Sequence, residues 1–384
     1  MTFDVERVKE VAVAQLEFDP GGGAALSVFV DGQPVLDETW GVADRERGTA
    51  YVGSTLQIIQ SMGKGVVGAV AAMLVSRGQL DVDAPVASYW PEFAQSGKGE
   101  IMVAQLLSHQ AGLAYLDGGM PLATTTNSAN DREELGHRLA AQAPAWRAGA
   151  HLGYSPQVSG NYADFVFEHA SGRSYSELLT ELTATVGLEM YVGLPEEQTS
   201  RAATVAITTD LESPVIMPGE NPDLPNYSEI IQKLVHNIPE TVEDPIGACN
   251  GAAIRRAHFP AANMFSNARS VAGLYAAMER VLAGEDSSLW SRKGLQIATT
   301  ERVRSVDSLL AVESPFGVAF QKPGPTYPFA KGRNAFGHGG AGGSFSMADP
   351  DMGLALCWLP SGYCVDHFDR RGVAIVDAVY AALD

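Results

Sequence analysis

The chain has 384 residues, 46% of them apolar and 18% charged, an ordinary globular composition with material for more than one compact core. Its 26 Lys and Arg face 45 Asp and Glu, a formal charge of -19. Phosphate backbones and anionic lipid repel such a chain, so no nucleic acid and no membrane is expected as a partner. The three cysteines, Cys249, Cys357 and Cys364, are too few for a disulfide framework and are read as reduced thiols.

The opening segment MTFDVERVKEVAVAQLEF places apolar residues at helical spacing but has no unbroken apolar core and no cleavage site. No apolar run reaches membrane-spanning length, and a cytoplasmic location is the expectation. Two strands, ALSVFV and PVLDETWGV, flank a hairpin turn at Asp31-Gly32. A helix follows from about Ser61 to Val75; its segment GVVGAVAAMLV is apolar all round and therefore buried on every side, with Arg77-Gly78 as its stop. From about 81 to 235 the pattern is mostly helical, with a proline-rich loop holding Pro214, Pro218, Pro222 and Pro225. A helix over 270–284, strands over 315–321 and 344–359, and a last helix at about 371–382 complete the chain. Strands at both ends with helices between predict an α/β domain from 1–80 and 245–384 and a mostly helical inserted domain at 81–244.

Three places carry chemistry. In Ser61-Met62-Gly63-Lys64 the serine and lysine share one helix face, about 5–6 Å apart at Cβ. A neutral lysine there accepts the serine proton, and a protonated one lowers the cost of the alkoxide; burial and the positive end of the helix both favour the neutral form. A capping serine beside a surface lysine is the bland alternative, but Lys64 opens a stretch with no other charge until Arg77. In WRAGAHLGYS, Tyr154 ends a glycine-bearing loop, either as a half-buried aromatic or as a phenol whose pKa is lowered by a nearby lysine to make it a general base. The run Phe336 to Ser344, FGHGGAGGS, precedes a strand and lets backbone approach a ligand with free N–H groups; one of them, with that of Ser61, makes an oxyanion hole. The alternative is a tight turn with a hydrogen-bonded histidine.

Rival chemistries are weaker. Gly247-Ala248-Cys249-Asn250-Gly251 has the shape of a nucleophile elbow, but Asp244-Pro245 leaves no strand before it. The eight histidines are scattered and no H-E-x-x-H occurs, so no metal and no cofactor is expected.

Together these segments resemble the class C β-lactamase-like serine hydrolases, especially the branch of cytoplasmic carboxylesterases and related transacylases. The matching stretches run from about 24 to 360. Ser61-Met62-Gly63-Lys64-Gly65 stands where that family has S-x-x-K-G, and Val103 through Leu113 is close to its "VRQLLSHTSGL". Asp81 to Val86, Trp146 to Tyr154, Gly193 to Glu197, Pro260 to Asn263 with Ala268-Arg269-Ser270, and Phe336 to Ser344 with Ala348-Asp349-Pro350 match further segments in order. The resemblance implies an α+β fold of the β-lactamase/penicillin-binding-protein type, an antiparallel sheet flanked by helices with an inserted helical domain and the site in the cleft between them. It implies that Ser61 attacks an ester or amide carbonyl of a small molecule, assisted by Lys64 and Tyr154. The N–H groups of Ser61 and Ala341 hold the oxyanion, with His338 and Gly340 orienting the site or substrate. The acyl group then passes to water, as in a carboxylesterase, or to an alcohol or amine acceptor, as in a transacylase of natural-product tailoring. A silent binding protein of the same fold is the lesser alternative. Two departures matter: Tyr154-Ser155-Pro156 replaces Tyr-x-Asn, and His338 stands where β-lactamases carry lysine. Both point to an ester rather than a β-lactam.

Overall fold

The structure is a computed structural model describing residues 3–120, 129–208, 221, 223–224, 226–238, 243–363 and 370–383. Cys364, Pro214, Pro218, Pro222 and Pro225 lie outside the described residues. Its main sheet has six strands in the order Phe336–Gly339, Phe345–Asp349, Leu354–Pro360, Gly23–Val30, Gln33–Asp44 and Thr49–Ala50, each antiparallel to its neighbours. The hairpin turns at Asp31 and Gly32, both at positive φ (48° and 72°), the pairing a two-residue turn with the twist of the flanking strands requires.

Gly23–Val30 and Leu354–Pro360 are almost wholly buried because both faces of the sheet are covered. On one face Leu26, Val28, Leu356 and Trp358 pack with Val8 and Ala12 of helix Val5–Ala14 and with Ile375 and Val379 of helix Arg370–Ala381. On the other, Ala25, Phe29, Ala355, Cys357 and Leu359 join the larger core with helix Ala268–Ala283. Strands from both chain ends thus meet at the centre of one sheet.

The all-round apolar helix spans Gly63–Ser76, and every residue from Gly63 to Leu74 is buried. It lies in the larger core with helices Ser159–Ser171 and Tyr175–Val186. Within 81–244, two short strands pair back toward distant segments: Met190–Val192 with Met264–Ser266, and Ala206–Ile207 with Gly362–Tyr363. The stretch read as a strand at 315–321 is one only in Glu313–Phe316. The chain then turns back on itself, Gly317 N–H donating to Phe320 O at 2.8 Å with Ala319 at φ 60°. Among the described residues, no helix is long and apolar enough to cross a membrane.

Candidate active site

The nucleophile turn is fixed from both sides. Gln57 and Ile58 pair with Ser266 and Phe265, and Ile59 N–H donates to Met264 O at 2.8 Å. The chain then reverses at Gln60, a non-glycine residue at φ 49°. Such a backbone persists only where its surroundings hold it. Here Gln60 Nε2 donates to Tyr363 Oη at 2.7 Å, and the backbone of Gly340 presses against the turn. A Cβ on Gly340 would stand 2.9 Å from Ile59 O and 2.4 Å from Ser344 Oγ. Ser61 follows in a single 3-10 turn, Gln60–Met62, that leads into helix Gly63–Ser76. Its N–H belongs to the first turn, where helix geometry supplies no acceptor.

Lys64 is 2% exposed, and no carboxylate pairs with it among the described residues. Its Nζ lies 3.0 Å from Ser61 Oγ, 2.8 Å from Pro156 O and 3.1 Å from Ala261 O. Burial lowers its pKa from 10.5 to about 7. As an ammonium it donates to all three oxygens. As an amine it keeps two N–H for the carbonyls, and its lone pair faces the Ser61 hydroxyl, which then donates.

Tyr154 sits across the same two groups. Lys64 Nζ is 4.9 Å from the centre of its ring, and the Ser61 side chain lies near enough to its hydroxyl to pull the phenol pKa down. Its backbone N–H donates to Asp307 Oδ2 at 2.9 Å. Asp307 is fully buried; desolvation raises its pKa to about 6 against the pull of the N–H groups of Leu309, Leu310 and Tyr154. The expectation of a phenol made acidic by the lysine is corrected here. Burial raises the Tyr154 pKa well above its ordinary value, and the nearby Ser61 side chain opposes only part of that. A lysine that is itself easily neutralised offers little charge to hold a phenolate, so Tyr154 stays a proton donor at neutral pH.

His338 lies on strand Phe336–Gly339, buried, with its ring 6.3 Å from that of Tyr154. Its Nδ1 is 2.6 Å from Gly339 O, so Nδ1 carries the proton and Nε2 is a bare acceptor without a partner among the described residues. Burial, then Lys64, lowers its pKa to about 3, so the ring is neutral. Gly340 N–H is occupied, donating to Ser344 O at 2.7 Å, and Gly340 contributes close approach instead. Ala341 forms the exposed tip of the turn that follows. Ser61, Lys64, Tyr154 and His338 are therefore gathered in one place from three separate parts of the chain.

The beta-lactamase family model matches residues 14–372. The chain belongs to that family. It is similar to Esterase/beta-lactamase LipL of Mycobacterium tuberculosis, 29% identical over 87% of this chain and 76% of that one. Among solved structures it is similar to a family VIII carboxylesterase at 28% identity, covering 98% of this chain and 97% of that one with a TM-score of 0.84. A penicillin-binding protein homolog from Caulobacter crescentus is 31% identical over 98% of this chain and 97% of that one, with a TM-score of 0.82. The β-lactamase/penicillin-binding-protein fold implied by the motifs is thus the fold of this chain.

The rival cysteine lacks the elbow that a nucleophile needs. Cys249 sits in the 3-10 turn Gly247–Asn250 with no strand before it, and burial pushes its thiol pKa up. Among the described residues, no three His, Cys, Asp or Glu side chains converge as a metal cage. Four contributors escape sequence reasoning: the carbonyls of Pro156 and Ala261, the strained Gln60 and the buried Asp307. The first two act through backbone atoms, which carry no residue signature.

Proposed function

We propose that this chain is a serine esterase of small molecules in which Ser61 is the nucleophile, Lys64 its base and Tyr154 a proton donor. The observation that carries this reading is the Lys64 amine: buried, with no carboxylate partner among the described residues, 3.0 Å from Ser61 Oγ and balanced between its two protonation states near pH 7. Lys64 takes the Ser61 proton as Oγ attacks the ester carbonyl. The proton then returns through Lys64 or the Tyr154 hydroxyl to the departing alcohol oxygen. Water, losing a proton by the same route, releases the acid and restores Ser61. The N–H groups of Ser61 and Ala341 are the donors assigned to the oxyanion.

An ester is favoured over a β-lactam by the charges around the serine. A β-lactam antibiotic brings a carboxylate that needs a cation. The position where β-lactamases carry lysine holds His338, a buried imidazole that stays neutral. Pro156 has no side-chain amide to offer an acylamino group, and its carbonyl is already bound to Lys64. The name of the family VIII carboxylesterase agrees with this choice, while that of Esterase/beta-lactamase LipL covers both activities. The test is a direct comparison of p-nitrophenyl butyrate with nitrocefin. Losing one charge-assisted contact costs about 10–100-fold, so kcat/KM is expected to favour the ester by about 10–100-fold. Equal or better turnover of nitrocefin would overturn the esterase reading.

A further inference from the structure

We propose that His109 is a positioning residue for Tyr154, holding the phenol against Ser61 from both neighbouring peptides. The proposal rests on the reading of Tyr154 as proton donor. Three contacts come from this one side chain and its own carbonyl. His109 O accepts from Gly153 N–H at 3.0 Å, His109 Nδ1 accepts from Ser155 N–H at 3.2 Å, and the ring meets the Tyr154 ring edge-on with centroids 4.8 Å apart. With Asp307 on the Tyr154 N–H, three consecutive amides, 153 to 155, are each tied to a separate acceptor. The backbone on both sides of Tyr154 is thereby pinned by hydrogen bonds that the loop itself does not supply.

The geometry has a backbone requirement. His109 follows helix Val103–Leu107 and adopts φ 61°, a left-handed conformation uncommon outside glycine and asparagine. It also has a protonation requirement. A backbone N–H only donates, so the Nδ1 that receives Ser155 is bare and the proton sits on Nε2. A second proton on Nδ1 would break that bond. Burial, and then Lys64, keep the imidazole neutral. Phe316 closes the other side, 4.8 Å from the His109 ring and stacked on Tyr154 at 6.2 Å.

The experiment is a double-mutant cycle read by single-turnover release of p-nitrophenolate. His109→Gly relieves the left-handed backbone and removes only the imidazole. His109→Asn tolerates the same φ and places its Oδ1 where Nδ1 stands. A misplaced catalytic group costs about 10–100-fold, so His109→Gly is expected to slow acylation by that factor with KM within about 2-fold. His109→Asn is expected to recover most of the loss. In a Tyr154→Phe background, His109→Gly is expected to cost less than about 2-fold more, because the group it positions is already gone. Circular dichroism and melting of each variant accompany the rates. If His109→Gly does not fold, His109→Asn is carried through the same cycle and its smaller loss must vanish in the Tyr154→Phe background. A full additional loss in that background, or wild-type acylation by His109→Gly while Tyr154→Phe is slow, overturns the proposal. Wild-type acylation by Tyr154→Phe itself overturns the reading beneath it, and so separates the two failures.

Discussion

Ser61→Ala is expected to lower turnover of p-nitrophenyl butyrate by on the order of 10³–10⁶-fold, with the fold intact. Among the described residues no other group replaces the lost hydroxyl: Cys249 is buried with a raised thiol pKa, and Tyr154 holds its proton. The stability cost is small. Ser61 is half-buried, and Lys64 Nζ keeps its bonds to Pro156 O and Ala261 O without it. One net hydrogen bond of about 1 kcal/mol is at stake. Urea unfolding and steady-state rates on the same preparation separate the two effects. Turnover within tenfold of wild type would remove Ser61 from the chemistry.

Lys64→Met has two expected consequences of different kinds. Removing the base lowers kcat/KM by about 10²–10⁴-fold. The stability effect depends on pH, and its sign follows from the direction of the Lys64 shift. A lysine whose pKa falls from 10.5 unfolded to about 7 folded weakens the fold wherever the unfolded chain holds its proton and the folded chain resists it. That cost, about 5 kcal/mol at most, is complete below pH 7 and fades between pH 7 and 10.5. The methionine variant lacks it, though it leaves two carbonyls unpaired at about 1–3 kcal/mol each. Wild type is therefore expected to gain stability relative to Lys64→Met as pH rises from 7 to 10. The wild-type acylation rate is expected to climb through an apparent pKa near 7, falling about tenfold per pH unit below it. A stability difference that does not change with pH would contradict a buried, reluctantly charged lysine.

The lysine was legible for a local reason. A single charge in an otherwise apolar run over Gly63–Ser76 has to be buried, and its spacing from Ser61 follows from one helical turn. The hairpin at Asp31-Gly32 and the closing helix Arg370–Ala381 were equally local. Tyr154 and the glycine-rich run around His338 stood out as candidates by themselves, but their roles came only through the ordered resemblance, because nothing nearby in sequence indicates what they face. Asp307 was invisible: a lone aspartate in a polar stretch gives no sign that its oxygens will accept from Tyr154, Leu309 and Leu310. The charge of the tyrosine was misjudged because proximity to a lysine is readable while the depth of burial is not. Depth decides both groups here, lowering Lys64 and raising Tyr154.

The central claim is a covalent one, and intact-protein mass spectrometry tests it most directly. Protein mixed with p-nitrophenyl butyrate and quenched in acid within the first turnovers is expected to gain one butyryl group, carried after digestion by the peptide that contains Ser61 and missing in Ser61→Ala. Turnover at full rate with no adduct, or with the butyryl group on any other residue, would contradict the account.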